Sequence, residues 1–320
     1  MAHSGGLCVS ALLEWWKENQ DDFPWRETKD PWKILISEIL LQQTQAKRMI
    51  PYYQRIIEAS PTPKAMVENG EEYLLKLWEG AGYYRRARYL FKLAEMCQNG
   101  LPDNYEDWLA LPGIGPYTAA AICSIAFNLN VSCIDGNVKR IISRLVGRNI
   151  TKFSEFKRIA DQLIDKARPG DWNQALMDLG RNVCKPANPN CDDCPLSEGC
   201  IGKQDPMSFS TPKKVKSKLM KVDCLVILGE DNTLNVRRKT SGHLQNMWGF
   251  ELTDRNEASF KEEEYCGNIS HAFTHRKWDI DVYAKKTAKM LIVPGDVPMA
   301  KLDQKIRDIV LAWDVKRNNS

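Results

Sequence analysis

Apolar side chains fall three or four positions apart over residues 11–17, 32–41, 47–58, 72–79, 85–97, 105–110, 117–127, 137–146 and 154–166. That spacing predicts a helix at each stretch. Gly, Pro, Asp and Asn stand between them and end or turn the helices. Asp30-Pro31 reads as an N-cap followed by proline in the first turn, opening the helix that carries Glu38. The pattern changes after residue 200. Pro206, Ser208, Ser210, Thr211 and Pro212 lead into a run of Lys213, Lys214, Lys216, Lys218 and Lys221. Short strands are then predicted at 224–228, 233–238, 271–273 and 278–284, with a last helix at 300–313. The expected organisation is an all-helical domain over 7–203, a linker over 204–220 and a smaller α+β domain over 221–320.

A chain of 320 residues accommodates two domains of ordinary size. Its balance of 45 basic to 41 acidic residues, a formal charge of +4, does not by itself mark a nucleic-acid binder. Distribution adds more. Arg85, Arg86 and Arg88 cluster, as do Lys139, Arg140, Arg144 and Arg148. Any one cluster reads as a solvated face. Beside Tyr83, Tyr84 and glycine-rich turns, together they point to a nucleic-acid face. No stretch approaches the ~20 apolar residues of a membrane span.

Four cysteines, Cys184, Cys191, Cys194 and Cys200, have the spacing C-x6-C-x2-C-x5-C. Turn formers separate them, so the segment is a loop with little apolar matter to hold it. Soft thiolates suit an iron–sulfur cluster, with structural zinc as the alternative. No apolar signal segment precedes the helices, which favours a reducing compartment over a disulfide framework.

Leu111-Pro-Gly-Ile-Gly-Pro-Tyr-Thr-Ala-Ala-Ala121 has the form of a helix–hairpin–helix turn. Gly113 and Gly115 let the backbone approach a phosphate, and the following helix start aims its amides at that anion. Such a clamp grips DNA without reading its sequence. Glu38 sits among Ile34, Leu35, Ile36, Ile39, Leu40 and Leu41. Burial there would raise its pKa and keep a proton available near neutrality; on a wet helix face it would be an ordinary carboxylate. Asp135-Gly136, taken alone, is a turn or N-cap. Together the two acids supply what glycosidic cleavage needs, a proton donor and a stabiliser of the sugar cation. Gln43 and Thr44 follow Glu38 and offer polar groups to bases.

In this order the motifs resemble the helix–hairpin–helix DNA glycosylases of the endonuclease III-like superfamily, and within them the MutY-type adenine DNA glycosylases. The resemblance covers residues 10–200 and rests on Phe23–Arg26, Ser37–Gln45, Gly80–Arg88, Leu111–Ala121, Ile134–Arg140, Asn173–Gly180 and the cysteine loop. It implies a 4Fe–4S cluster on the loop at 184–200. It implies that Glu38 protonates a flipped adenine and that Asp135 stabilises the sugar cation, through an adduct or directly, with Asn137 holding the site. Tyr117 stands where strand-cleaving relatives carry a nucleophilic lysine, so a monofunctional glycosylase is expected. Gln43, Thr44, Tyr83, Arg86, Gly113, Gly115 and Lys139 are the expected DNA contacts. Ala81 replaces a usually larger apolar wedge and shifts intercalation to Gln43 and Tyr83.

Residues 220–285 resemble the family's Nudix-like recognition domain, in which Phe273-Thr274-His275 would read 8-oxoguanine. Threonine at 274 replaces the commoner serine. The Gly/Arg/Glu spacing of a pyrophosphatase is missing, which excludes nucleotide hydrolysis. The expected partner is duplex DNA with adenine opposite 8-oxoguanine, bound by a monomer with no membrane. The expected compartment is cytoplasmic, nucleoid-associated in a bacterium and nuclear or mitochondrial in a eukaryote. A thymine or uracil mismatch glycosylase of the same fold, or a non-catalytic lesion-binding protein, is the alternative.

Overall fold

The computed structural model describes residues 9–209, 218–229, 232–240, 244–256, 258, 260, 265–272, 276–288 and 297–318. The chain forms two compact units, Met1–Glu68 with Tyr89–Lys213 and Asn69–Arg88 with Lys214–Ser320. Eleven helices precede residue 183 among the described residues: α1 (Val9–Asn19), α2 (Pro31–Leu41), α3 (Ala46–Ala59), α4 (Pro63–Asn69), α5 (Glu71–Leu77), α6 (Arg85–Cys97), α7 (Tyr105–Ala110), α8 (Pro116–Phe127), α9 (Gly136–Leu145), α10 (Phe153–Leu163) and α11 (Pro169–Asn182). No described helix is long and apolar enough to cross a membrane.

In the first unit α2 and α8 are buried around most of their circumference and pack together. Asp30 caps α2, accepting from Trp32 N at 2.8 Å and Lys33 N at 3.4 Å. Ala119, Ala120 and Ala121 let α8 approach its neighbours closely. A second core gathers Leu12, Trp16, Val138, Ile142, Trp172 and Leu179 from α1, α9 and α11, with Cys184, Cys194 and Cys200 against it. Helices α4 and α11 form where periodicity predicted none. The inward face of α11 buries Gly170, Asn173, Asp178 and Gly180, so its apolar signal is diluted.

The second unit holds strands β1 (Lys218–Leu228), β2 (Arg237–Arg238), β3 (Trp248–Gly249), β4 (Thr253–Asp254), β5 (Tyr265–Ala272) and β6 (Arg276–Lys286), followed by α12 (Lys301–Asn318). The sheet runs β4-β1-β6-β5. Its centre is a parallel pair, β1 on β6 from Lys218↔Arg276 to Leu228↔Lys286, flanked by antiparallel neighbours. Val222, Cys224, Val226, Ile280 and Val282 form its core with Leu302, Ile306 and Val310 of α12. Two expectations change here. Within the linker expected over 204–220, residues 206–209 form a 3-10 turn bonded to Arg144 and Asn149, β1 starts at Lys218, and residues 210–217 lie outside the described residues. Of the strand expected at 271–273, residues 271 and 272 end β5, whose start is hidden in sequence by Gly267, Asn268 and Ser270; residue 273 lies outside the described residues.

Candidate active site

Two helix ends and one helix interior assemble the site. Glu38 lies mid-way along α2 and is 7% exposed. Burial is the main cause that pushes its carboxyl up to about 7; Tyr117 hydrogen-bonds it and works the other way, and the charge of Asp135 adds to the rise. A carboxyl so placed can hold a proton near neutral pH. Tyr117 enters from the first turn of α8. Its hydroxyl meets Glu38 on one side and the Met177 sulfur on the other, at 3.3 Å. Burial and the nearby carboxyl hold its phenol well above 10, so it stays a neutral donor.

Asp135 is the N-cap of α9, as the turn or N-cap reading of Asp135-Gly136 expected. Oδ1 accepts from Val138 N at 2.7 Å and Oδ2 from Asn137 Nδ2 at 3.1 Å. Burial raises its pKa, and those hydrogen bonds oppose the rise. An anion at a helix N-terminus is also favoured by the helix dipole. Asn137 accepts in turn from Arg140 Nη2 at 2.9 Å. Gly180 makes this possible: a Cβ there would lie 2.6 Å from Asn137 Cβ, so only glycine lets α11 come this close.

Sequence reasoning missed the roles of Arg140 and Arg144, which it grouped with an outward basic face. One turn apart on α9, both turn to the cysteine loop. Arg140 donates to Cys184 O at 2.8 Å and Gly180 O at 2.7 Å. Arg144, 2% exposed, donates to Cys184 Sγ at 3.2 Å, Lys185 O at 2.8 Å and Pro206 O at 2.8 Å. The i, i+4 spacing was the available signal. Asn173 was also missed as a structural clamp. It accepts from Cys133 N at 3.0 Å and donates to Ser124 Oγ and Val131 O at 2.9 Å, pinning the segment that leads into Asp135.

Cys184, Cys191, Cys194 and Cys200 are free thiols lining one cavity with Arg144, Asn190 and Lys203. Among the described residues no three such side chains are drawn together as single-ion ligands. Four soft donors on one cavity, with an arginine donating to one sulfur, are chemically suited to an iron–sulfur cluster.

The expected DNA contacts divide. Gly113 has φ +80° in the turn between α7 and α8, and Gly115 caps α8 without a side chain, leaving the first-turn amides open to an anion. Gln43 is exposed with φ +57°, whereas the Thr44 hydroxyl is taken by Leu40 O. Lys139 Nζ stands over the Phe153 ring at 5.5 Å. Tyr83 is 43% exposed with φ +53°. Arg86, also expected among the DNA contacts, is buried. It is 7% exposed, donates to Gly82 O at 3.2 Å and stacks over Tyr83. Ala81, 2% exposed, is packing rather than a wedge of any size. Phe273, Thr274 and His275 lie outside the described residues.

Glu38 also carries a stability signature. Its folded pKa of about 7 exceeds the ordinary 4.5, so the folded form binds the proton more tightly and loses stability as pH rises from about 4.5 through about 7. Glu38→Gln removes that loss. Above pH 7 the variant is expected to be more stable than the parent by on the order of 3 kcal/mol, and equal near pH 4. Urea unfolding at both pH values checks it; a variant less stable at pH 8 contradicts the raised pKa of Glu38.

The HhH-GPD superfamily base excision DNA repair protein family matches residues 36–166, which include Glu38, the hairpin and Asp135. The chain is 34% identical over 290 residues to adenine DNA glycosylase of Buchnera aphidicola subsp. Schizaphis graminum, covering 82% of this chain and 83% of that protein. Against adenine DNA glycosylase of Arabidopsis thaliana it is 33% identical over 297 residues, 77% of this chain. That match covers 47% of the plant protein, so the chain spans about half the length of this relative. Among solved structures, a thermostable thymine-DNA glycosylase matches with a TM-score of 0.58 at 31% identity, over 61% of this chain and 94% of that one.

Proposed function

Because the chain belongs to the adenine DNA glycosylases of the helix–hairpin–helix superfamily, we propose that it hydrolyses the N-glycosidic bond of adenine mispaired with 8-oxoguanine or G in duplex DNA. The observation that carries the reading is the buried Glu38, with its pKa near 7, coupled to Asp135 at the start of α9. The target nucleotide must leave the stack, since its glycosidic bond is out of reach inside the duplex. Glu38 passes its proton to a ring nitrogen of the flipped adenine. The bond electrons leave with the base, and the sugar carries the positive charge that Asp135 stabilises. Water then adds to the sugar and its proton returns to the carboxylate. Tyr117 orients Glu38, and Asn137 orients Asp135. A phenol forms no Schiff base, so the product is an abasic site in an uncut strand.

The hairpin at Gly113 and Gly115 grips the phosphates, and Gln43 and Tyr83 enter the stack as the base leaves. The second unit, read as Nudix-like, recognises the opposite 8-oxoguanine through Phe273–His275. Cys184, Cys191, Cys194 and Cys200 would hold a 4Fe–4S cluster, which supplies a rigid anchor for the loop in a reducing compartment. The protein acts as a monomer.

Single-turnover base release tests the reading on three duplexes, with A opposite 8-oxoguanine, A opposite G, and T opposite G. Adenine is expected to leave fastest opposite 8-oxoguanine, more slowly opposite G, with no thymine release. Thymine release would move the protein to the mismatch branch that the thymine-DNA glycosylase match represents, a match confined to 61% of the chain. Tight binding without release would make it a recognition module.

A further inference from the structure

Residues 69–88 group with the C-terminal residues rather than with the helices on either side of them in sequence. Four residues of this segment hydrogen-bond to C-terminal residues. Glu71 Oε2 accepts from Asn246 Nδ2 at 2.6 Å, and Glu72 Oε1 accepts from Trp248 Nε1 at 3.3 Å. Arg88 donates to Gln245 O at 2.7 Å. Glu79 makes the fourth and engages two groups at once: Oε1 accepts from the Met299 amide at 2.5 Å, and Oε2 accepts from Gln304 Nε2 at 3.1 Å. Gln304 also donates to Met299 O at 3.1 Å, so carboxylate, amide and carboxamide close a small ring at the start of α12. The Glu79 side chain is 18% exposed, which strengthens charge-assisted bonds of this kind.

The position of Glu79 gives the ring its meaning. The next residues, Gly80–Tyr84, are the loop that presents Tyr83. That loop is internally braced: Trp78 Nε1 donates to Gly82 O at 3.0 Å, Gly80 N to the Tyr84 hydroxyl at 3.3 Å, and Arg86 to Gly82 O at 3.2 Å. A braced loop moves as a body, so whatever holds its base aims its tip. The base is held by Glu79, on residues that adjoin β3, where Trp248 N donates to Pro298 O at 2.8 Å. We propose that Glu79 is a specificity-positioning residue: it ties the Tyr83 loop to Met299 and Gln304, so that the unit reading the opposite base also sets where Tyr83 enters the duplex. This rests on the functional reading above and assigns that reading a mechanical link.

Single-turnover adenine release is measured for wild type, Glu79→Ala and Glu79→Gln on duplexes with A opposite 8-oxoguanine and A opposite G. Hydrogen exchange of residues 80–84 is measured in the free proteins. Glu79→Ala is expected to lower the preference for 8-oxoguanine by about 10-fold, the worth of a charge-assisted hydrogen bond. It is expected to act by slowing release opposite 8-oxoguanine, and to speed exchange at 80–84. Glu79→Gln keeps one acceptor for the Met299 amide and is expected to recover part of both. A loss equal on the two duplexes, or unchanged exchange, overturns the proposal, because plain destabilisation does not alter the ratio. A wild type that prefers 8-oxoguanine and a variant that keeps that preference overturn this proposal alone. A wild type that releases no adenine removes the functional reading, and this one with it.

Discussion

Glu38→Gln is expected to bind duplex with A opposite 8-oxoguanine as tightly as the parent and to release adenine about 10²–10⁴-fold more slowly, the usual worth of a positioned general acid. Glutamine keeps the shape and a hydrogen-bonding partner for Tyr117 but has no proton to give. The pH profile supplies a second readout. In the parent, release is expected to fall as pH rises through about 7, because the protonated fraction of Glu38 falls. The variant should lack that limb. Single-turnover kinetics from pH 5 to pH 9 measure both, and a variant rate within tenfold of the parent would remove Glu38 from the chemistry.

Asp135→Asn is the other large effect, expected to slow release about 10²–10³-fold, as removal of a preorganised charge from a site does. Asparagine is as good an N-cap as aspartate, so its Oδ1 can still accept from Val138 N and the fold should hold. What disappears is the negative charge at this position. Circular dichroism melting beside single-turnover kinetics separates the two. An unshifted melting temperature with slow release supports the electrostatic role; normal release would assign Asp135 to capping alone. Asp135→Ala, which loses the cap as well, should fall by about 1 kcal/mol in stability.

The fold was legible where pattern and packing agree. Helix α2 was readable because its N-cap, its proline and its apolar run all favour one structure. Helix α11 was not, because glycine, asparagine and aspartate face inward there, and each is satisfied by a partner far along the chain. Asp178 is 1% exposed and receives Arg26 at 2.5 Å, Arg181 at 2.6 Å and Trp16 Nε1 at 2.9 Å. No local spacing announces such a network. The strands erred in extent: β1 and β6 are parallel neighbours whose pairing comes from residues about sixty apart.

By itself the sequence determined the chemistry on offer: two acids in unlike surroundings, a phenol in place of an amine, a glycine hairpin and four thiols in one loop. These follow from residue type and near-neighbour spacing, which the chain carries locally. Only the tertiary structure decided how they act. It buried Glu38 against Tyr117 and within reach of the Asp135 charge, which sets its pKa. It turned Arg140 and Arg144 inward to the cysteine loop and withdrew Arg86 and Ala81 from the surface. It also placed residues 69–88 in one unit with the C-terminal residues, where Glu71, Glu72 and Glu79 accept from Asn246, Trp248 and Met299. Desolvation and long-range hydrogen bonds depend on what surrounds a side chain in space, and that environment is assembled from residues 44 to 220 positions apart.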